Sequence, residues 1–222
     1  MKLLVTAGPT REPIDPVRYL TNRSSGRMGY AIAAAAARLA HQVLLVSGPT
    51  NLELPENVDF LPVESADEMF DAVRRHISSR DIAIFSAAVA DYRPAAAALE
   101  KIKKSAETLS LDLVRNPDIL GSARNQFGFK GTLVGFAAET ENIEANARDK
   151  LTRKACDLII ANDVSRPDIG FDSTENEVLL VYPDHSKPLP RMSKDHLAEH
   201  ILEAAITLHT DGREASPRPP AG

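Results

Sequence analysis

The stretch Thr21–Ala40, TNRSSGRMGYAIAAAAARLA, changes character halfway along. Its second half is an alanine-rich run, which favours an α-helix. Its first half is polar and brings Ser24, Ser25 and Gly26 to the predicted start of that helix. Free backbone N–H groups, hydroxyls and the helix dipole together favour a bound anion at such a start. The alternative is an ordinary helix that a serine caps after a glycine turn.

The residues before this helix favour the anion-binding interpretation. KLLVTAG (2–8) is typical of a buried strand, and a polar loop from Pro9 to Ser25 joins it to the helix. That loop is much longer than the usual connection between a strand and a helix, and long ordered loops are often functional. Three prolines stiffen it, which suits a loop that holds one shape.

Apolar strands alternate with helical patterns along the rest of the chain. Strands are predicted at 2–8, 42–48, 58–63, 81–90, 132–140, 157–165 and 176–183, with a shorter exposed one at 109–116, and helices at 65–77, 142–155 and 193–210. This alternation predicts an α/β, Rossmann-like fold, in which helices cover both faces of a mostly parallel sheet. We expect one domain over residues 1–210, a flap or excursion around residues 91–116, and a disordered tail over 211–222.

The composition excludes some classes of function. The 222 residues carry a formal net charge of −5, which argues against general binding to nucleic acid or to an anionic membrane. A phosphate site must therefore be a local basic pocket. Cys156 is the only cysteine, and we expect an inert, buried thiol in a reducing compartment. The sequence shows no secretory signal and no apolar run of bilayer length, so we expect a cytoplasmic protein.

Ligands of parallel sheets bind beyond the carboxyl ends of the strands, so the strand exits deserve comparison. The fourth predicted strand leaves through FSAAVADY (85–92), whose small residues give room for a flat ring. Asp91 can then hold a ribose hydroxyl or a metal. The alternative is that Asp91 starts a turn and that the alanines pack under a helix.

Other exits carry cations and an aromatic ring. EKIKK (100–104) is either a mobile basic flap over phosphates or a solvated surface. Phe136 either stacks on a base or packs in the core. Lys150 and Lys154 lie four residues apart and therefore on one helix face, and Asn162 ends a further strand. The six histidines lack metal-ligand spacing.

Six motifs in this order (TAGPTREPIDPVRYLTNRSSGRMGY, AAVADYRP, EKIKK, NPDIL, VGFAAET and ANDVS) make residues 2–208 resemble the phosphopantothenate–cysteine ligase domain, also called phosphopantothenoylcysteine synthetase. The resemblance, to the bacterial CTP-dependent type, implies a homodimer that acts in coenzyme A biosynthesis. With CTP and Mg²⁺, the enzyme converts 4′-phosphopantothenate to an acyl-cytidylate and releases pyrophosphate. L-Cysteine then attacks through its amine and gives 4′-phosphopantothenoylcysteine and CMP.

The resemblance also implies roles for individual residues. Asn22 acts on the acyl intermediate and Lys101 on the triphosphate, as the catalytic residues. Phosphopantothenate contacts Asn22, Ala87, Ala88 and Asp91, and no metal ligand is assigned. The nucleotide contacts Gly8, Ser24, Gly26, Gly29, Phe85, Ser86, Ala87, Asp91, Lys101, Pro117, Asp118, Ile119, Leu120, Phe136, Lys150, Lys154 and Asn162.

Two features depart from the family pattern. Many bacterial relatives fuse this domain behind a flavin-dependent decarboxylase, and these 222 residues contain no such segment. We therefore expect either a stand-alone ligase or an excised domain, with no flavin of its own, working with a separate phosphopantothenoylcysteine decarboxylase. Ala40-His41 stands where relatives place a glycine turn, and we expect no functional consequence.

Two other classes remain as alternatives. An NAD(P)-dependent oxidoreductase also has an α/β fold, but no GxGxxG motif opens the first helix here, and the strand QVLLVSG (42–48) ends without the acidic residue that would hold a ribose. A non-catalytic nucleotide-binding module is the second alternative, and substrate-dependent release of pyrophosphate would exclude it.

Overall fold

The computed structural model describes residues 1–104, 107–165 and 174–214. A single 3-10 turn, Ile77–Ser79, follows the second helix. In chain order the strands and helices are β1 (Lys2–Ala7), β2 (Arg11–Pro13), β3 (Tyr19–Thr21), α1 (Arg27–Arg38), β4 (Gln42–Ser47), β5 (Asp59–Pro62), α2 (Ala66–His76), β6 (Ile82–Phe85), β7 (Tyr92–Pro94), β8 (Leu113–Arg115), α3 (Ile119–Asn125), β9 (Thr132–Glu139), α4 (Ile143–Lys154), β10 (Leu158–Asp163), β11 (Glu175–Val181), β12 (Ser186–Ser193) and α5 (Lys194–Glu214).

Within these ranges the main sheet has eight strands in the order β12-β11-β10-β9-β6-β1-β4-β5. The strands from β10 to β5 are parallel, and β11 and β12 add an antiparallel hairpin at one edge. The parallel part has the strand order of a doubly wound fold, and the direction of winding reverses between β1 and β6. The predicted Rossmann-like α/β class is confirmed, and the topology places the ligand crevice beyond the carboxyl ends of these two strands.

The two faces of the sheet carry separate apolar cores. Leu3 and Val5 of β1 pack with α1 and α5 on one face, whereas Leu4 packs with α2, α3 and α4 on the other. Successive side chains of a strand point to opposite faces. A strand covered on both faces must therefore be apolar throughout, which is why KLLVTA has no polar alternation until Thr6.

The long loop after β1 is an ordered structure. It contains the β2–β3 hairpin, and the buried Glu12 accepts a hydrogen bond (3.0 Å) from the backbone N–H of Ala66 at the start of α2. Ser65 caps the same helix by accepting from Glu68 N–H (3.2 Å). The loop therefore holds one shape because it is tied to α2.

The structure corrects several predicted bounds. β6 ends at Phe85 and not at residue 90. Ser86 N–H still donates to Thr6 O of β1 (3.2 Å), but Ala88 N–H donates to Gly8 O (2.9 Å) in the loop after β1. β8 covers only Leu113–Arg115 of the strand predicted at 109–116. The hairpins β2–β3 and β7–β8 and the edge strand β12 were not predicted. The last helix continues to Glu214, since Gly212 costs only about 1 kcal/mol in a helix. The rest of the predicted tail, 215–222, lies outside the described residues.

The predicted excursion from the core is present. β7 and β8 form their own two-stranded sheet, apart from the main one. Between them, Ala98 N–H donates to Ile14 O (2.9 Å), which docks this part of the excursion on the loop of the β2–β3 hairpin. Residues 105 and 106 lie outside the described part of the chain.

Two helices end on an alanine in the left-handed conformation, and glycine should be better there. Ala40 (φ 58°) follows α1 and Ala155 (φ 50°) ends α4, each with the two backbone bonds of a Schellman motif, such as Ala40 N–H to Ala37 O (2.9 Å) and His41 N–H to Ala36 O (3.1 Å). Relief of this strain exceeds the entropic cost of glycine, so Ala40→Gly and Ala155→Gly should each raise the free energy of unfolding by about 0.5–1 kcal/mol. Urea unfolding measures this. Ala37→Gly, inside α1, is the matched control and should lose about 1 kcal/mol; a loss for Ala40→Gly as well would contradict the account.

Candidate active site

A cleft with two lobes lies beyond the carboxyl ends of β1, β6 and β9. Lobe 1 lies beside α3 and α4, lobe 2 lies between the start of α1 and the edge strands, and each has a volume of about 500 Å³. Ala87, Val89, Asp91, Phe136 and Lys150 line both lobes. The two lobes are therefore halves of one site at the position that the topology indicates.

The backbone between the lobes is held by the end of β1 and by the loop that follows it. Ser86 Oγ donates to Thr6 O (2.7 Å), and Ala90 N–H donates to the buried Thr10 Oγ1 (3.0 Å). On the same loop, Asn22 donates through Nδ2 to Val89 O (3.0 Å). These bonds fix the exposed Asn22 carboxamide at the wall of lobe 2.

The start of α1 faces lobe 2 with its backbone. Gly26, in the left-handed conformation (φ 75°), is the N-cap residue and offers no side chain to the first turn. Ser24 Oγ accepts from Gly26 N–H (3.3 Å), so the alternative in which a serine is the N-cap is wrong. Gly29 packs the helix directly on the sheet, since a Cβ there would lie 2.5 Å from Ala7 Cβ and from Ser86 Oγ. A helix start in this arrangement is suited to an anion.

The cleft is a local basic region in an acidic chain. Among the described lining residues, lobe 1 has Arg115, Lys150, Arg153 and Lys154, and lobe 2 has Arg23, Arg27, Lys150 and Lys194. The carboxylates of these linings belong to Asp91 and Asp118. The distribution matches a site for an anionic ligand.

Lys150 and Lys154 are in different electrostatic situations. Lys154 is ion-paired to Asp118, which also caps α3 by accepting from Gly121 N–H (2.9 Å). Burial raises the Asp118 pKa, but the bonds from Lys154 and Gly121 outweigh it, and the net pKa is below the usual value. Lys150 is half-buried and makes no hydrogen bond or ion pair within the described part of the chain. Burial lowers its pKa, and Glu139 opposes that shift only in part.

The structure brings most of the predicted site residues into this cleft. Four of the predicted residues, Ala87, Asp91, Phe136 and Lys150, lie in both lobes. Lobe 1 alone takes Phe85, Pro117, Asp118, Ile119, Leu120 and Lys154, and lobe 2 alone takes Asn22, Ser24, Gly26, Gly29, Ser86, Ala88 and Asn162.

Gly8 and Lys101 lie apart from the described lining of the cleft. The carbonyl of Gly8 already accepts a hydrogen bond from Ala88 N–H, so its role here is to hold the backbone between the two lobes. Lys101 is exposed. Both backbone groups of the adjacent Ile102 are hydrogen-bonded, since its N–H donates to Asp15 (3.1 Å) and its carbonyl accepts from Arg18 (3.1 Å). The contact of Lys101 with a triphosphate stays a prediction that needs the segment to move.

Several lining residues were not predicted from the sequence. In lobe 2 these include Asn176 and Lys194, and in lobe 1 Arg115, Asn116 and Arg153. A polar residue inside the apolar strand ENEVLLV and a lysine at the start of a predicted helix are signals that could have found the first two.

The described residues show no cluster of metal ligands, a buried cysteine and no helix able to span a membrane. The described residues contain no group of three or more His, Cys, Asp and Glu side chains that could hold a metal ion. Cys156 is buried, as predicted, and burial raises its pKa to about 12, which keeps the thiol protonated and unreactive. In the described ranges, none of the helices has the length and apolarity that crossing a bilayer requires.

The doubly wound sheet and its cationic cleft define a Rossmann-like α/β protein whose cleft is suited to an anionic ligand. Residues 1–208 match the sequence model of the DNA/pantothenate metabolism flavoprotein C-terminal domain, and the chain belongs to that family. The family of the sequence resemblance is thereby confirmed.

Individual relatives agree with this assignment. The chain is 50% identical over 208 residues to the coenzyme A biosynthesis bifunctional protein CoaBC of Vibrio vulnificus (strain YJ016), which covers 93% of the chain and 52% of that protein. It is 47% identical over 214 residues to CoaBC of Escherichia coli (strain K12), over 95% of the chain and 53% of that protein. The chain thus spans about half the length of these curated relatives. The solved C-terminal domain of a CoaBC protein has a TM-score of 0.81 at 41% identity, covering 95% of this chain and 96% of that one.

Proposed function

We propose that the chain is a phosphopantothenate–cysteine ligase that joins 4′-phosphopantothenate to L-cysteine through an acyl-cytidylate, with CTP as co-substrate. The observation that carries this proposal is the convergence on one cleft of Asn22, the uncapped start of α1 and Lys150, which has no ion pair among the described residues. The named relatives act in coenzyme A biosynthesis, which supports the same reaction class. The alternative of an NAD(P)-dependent oxidoreductase has no support among these relatives.

The two lobes suit the two ends of a nucleotide. Lobe 1 offers Phe85, Ile119 and Leu120 as apolar walls, which fits a base. Lobe 2 offers the start of α1 and four cations, which fits phosphates. Lys150 lines both, so the α-phosphate would lie near it, at the junction.

The negative charge of both reactants determines what the residues of the cleft must supply. A carboxylate that attacks an α-phosphate brings together two anionic molecules, and catalysis needs fixed positive charge and N–H dipoles at that point. Lys150 has no hydrogen bond or ion pair to break within the described residues, so its charge is available to the phosphates. Asn22 lies in the same lobe and can donate its second Nδ2 proton to the mixed anhydride without being acylated itself.

Magnesium fits this site as an ion carried by the nucleotide. Mg²⁺ commonly uses one or two carboxylates together with substrate phosphates. Asp91 lines both lobes, and its carboxylate has no hydrogen bond or ion pair within the described residues. Asp91 would hold the ion, which would supply additional charge to the phosphates when bound.

Lys101 requires a movement in this proposal. The segment around it is anchored to Asp15 and Arg18, and the Arg18 hydrogen bond holds the Asp15 pKa well below its usual value. Release of those two bonds would free the flap to reach the phosphates. We propose that nucleotide binding favours the released state.

Pyrophosphate release with each of the four nucleoside triphosphates tests the proposal. We expect release with CTP, in the presence of phosphopantothenate and cysteine, and little with the other three. Tight binding of NADH in a fluorescence titration, without any pyrophosphate release, would instead revive the oxidoreductase. Binding of CTP without turnover would leave only a nucleotide-binding module.

We also propose that the enzyme acts in the cytoplasm and works with a flavin-dependent decarboxylase. The curated relatives are named as bifunctional proteins, and this chain matches about half of each. The product of ligation carries the carboxyl group of cysteine, which is the group that such a decarboxylase would remove.

We also propose that the chain is a homodimer through the excursion. An isolated two-stranded hairpin is marginal in water, and an exposed apolar surface commonly marks an interface. Leu99, Leu109 and Leu113 in or near β7–β8 are 95%, 58% and 47% exposed. A second copy of the same hairpin would cover them and pair the open edges.

Leu113→Glu should therefore convert the dimer to a monomer. A buried charge on each side of a two-fold interface cannot be paired by its own copy, so the association constant should fall by at least about 100-fold. Sedimentation equilibrium measures this, with Leu39→Glu, an exposed leucine at the end of α1, as the control. A wild-type chain that is monomeric at 100 times the enzyme concentration of the activity assay would contradict the proposal.

A further inference from the structure

Asn116 lines lobe 1, but its half-buried side chain is already engaged by the chain itself. Its Nδ2 donates to Ala90 O (2.8 Å), and its Oδ1 accepts from Arg93 Nη1 (2.9 Å). A carboxamide with a donor bond at one end and an acceptor bond at the other has one defined orientation. This arrangement suits a residue that holds neighbouring backbone in place.

The backbone that Asn116 holds is the segment Ala90-Asp91, at the exit of β6. Asn116 N–H donates to Asp91 O (2.9 Å), which continues the ladder of the β7–β8 hairpin one pair beyond its last paired residues. The side chain of Asn116 then reaches back to the preceding carbonyl, that of Ala90. Because Ala90 N–H also donates to Thr10 Oγ1 (3.0 Å), the segment is held from both sides.

Arg93 fixes the orientation of the Asn116 carboxamide. Its Nη1 also donates to Arg115 O (3.0 Å), and its Nη2 lies 3.6 Å from Asp67 Oδ2 on α2. The guanidinium is planar and presents its donors in fixed directions, so these contacts determine where Nη1 points. Asn116 precedes Pro117, which restricts its backbone as well.

The side chain that depends on this backbone is Asp91. It lines both lobes, and its carboxylate has no hydrogen bond or ion pair in the ranges that the structure describes. The backbone held by Asn116 therefore decides where that carboxylate lies. Displacement of a binding group by about 1 Å can cost on the order of 100-fold in rate.

We propose that Asn116, oriented by Arg93, is a positioning residue that fixes the Asp91 carboxylate at the bound nucleotide. This inference rests on the proposed function and adds to it a residue that acts through another one. It also gives the excursion a role within a single chain, since the return strand β8 brings Asn116 back to the exit of β6.

Calorimetric titration of CTP, with MgCl₂, into four proteins tests this role: the wild type, Asn116→Ala, Asp91→Asn and the double variant. Each single substitution should weaken CTP binding about 10-fold, and the double variant should bind no more than about twofold more weakly than Asp91→Asn alone. The losses are not additive because Asn116 has nothing to position once the carboxylate is gone. A merely structural role would weaken binding with or without that carboxylate.

Asn146→Ala is the matched control. Nδ2 of Asn146 also donates to a backbone carbonyl, Glu141 O (3.0 Å), but this residue lies outside the lining of both lobes. Its replacement should leave the CTP affinity unchanged. If Asn116→Ala does not fold, Asn116→Asp takes its place in the cycle, because it keeps the acceptor for Arg93 and removes only the donor to Ala90 O.

Three results would overturn the positioning role. Unchanged CTP affinity in Asn116→Ala would show that the two carbonyl bonds do not matter for binding, and unchanged affinity in Asp91→Asn would remove Asp91 from the nucleotide site. Additive losses, about 100-fold in the double variant, would mean that Asn116 acts through the adjacent turn, residues 117–120, and not through Asp91. A wild-type chain that binds no CTP would refute the proposed function itself, whereas additive losses in a chain that binds CTP would refute only the role of Asn116.

Discussion

Asn22→Asp should lower kcat for ligation about 100- to 1,000-fold and leave the fold intact. The change removes the Nδ2 donor and places a carboxylate opposite Val89 O, which accepts from Asn22 at 3.0 Å in the wild type. The new charge also faces the phosphates and the carboxylate of the substrate. Since Asn22 is exposed, the thermal midpoint should change little.

Single-turnover formation of the acyl-cytidylate and steady-state kinetics together measure this loss. Asn51→Asp makes the same chemical change at an exposed position outside both lobes and should retain wild-type kinetics. Turnover of Asn22→Asp at the wild-type rate would remove Asn22 from the mechanism. A large fall in the thermal midpoint would mean that its role is structural.

Lys150→Met should lower kcat/KM for CTP about 100-fold and at the same time stabilise the fold. The ammonium is half-buried and has no hydrogen bond or ion pair among the described residues, so its desolvation is not offset until a ligand arrives. A methionine fills similar space without that cost. Residues that are held ready for an anion commonly reduce stability in this way.

The stability effect should depend on pH in a defined direction. Burial lowers the pKa of folded Lys150 below its ordinary value of 10.5, so the folded state binds the proton less tightly than the unfolded state does. The stability deficit of the wild type is fully present below the lowered pKa, and it disappears as the pH rises from there to about 10.5. The gap between Lys150→Met and wild type should close over that window.

Lys154→Met is the matched control for this prediction. It lies one turn further along α4, but its ammonium is paired with Asp118, the N-cap of α3. Its removal leaves Asp118 unpaired, so this variant should lose stability where Lys150→Met gains it. Chemical unfolding at a series of pH values compares the two. A loss of stability in Lys150→Met at neutral pH would show that Lys150 has a partner of its own.

The sheet and the position of the site were predictable because both follow from local patterns. Strands covered on both faces must be apolar, which KLLVTA and LIIAND display, and parallel strands gather their exits at one edge. The signal for the α1 start was also local, since polar residues and glycines precede an alanine-rich helix. Local patterns therefore predicted the fold class, and they indicated the strand exits and the helix start that line the cleft.

The features that were missed depend on tertiary contacts. The three-residue strands of β2 and β3 have no periodicity to detect, and Glu12 caps α2 from far along the chain. Lys194 reaches the site only because β11 and β12 return along the edge of the sheet. For Lys101, the three lysines of EKIKK indicate a basic segment but not the surface on which it docks, which Asp15 and Arg18 decide here.

Transfer of oxygen from phosphopantothenate to the nucleotide is the most direct test of the central claim, that this cleft activates a carboxylate at the α-phosphate of CTP. The substrate carries ¹⁸O in both carboxylate oxygens, and the products are analysed by mass spectrometry. Attack at the α-phosphate forms the acyl-cytidylate, and the amine of cysteine then expels CMP that keeps one ¹⁸O. The account predicts one ¹⁸O in CMP and none in pyrophosphate. Unlabelled nucleotide with ¹⁸O in inorganic phosphate would instead mean attack at the terminal phosphate and would contradict it.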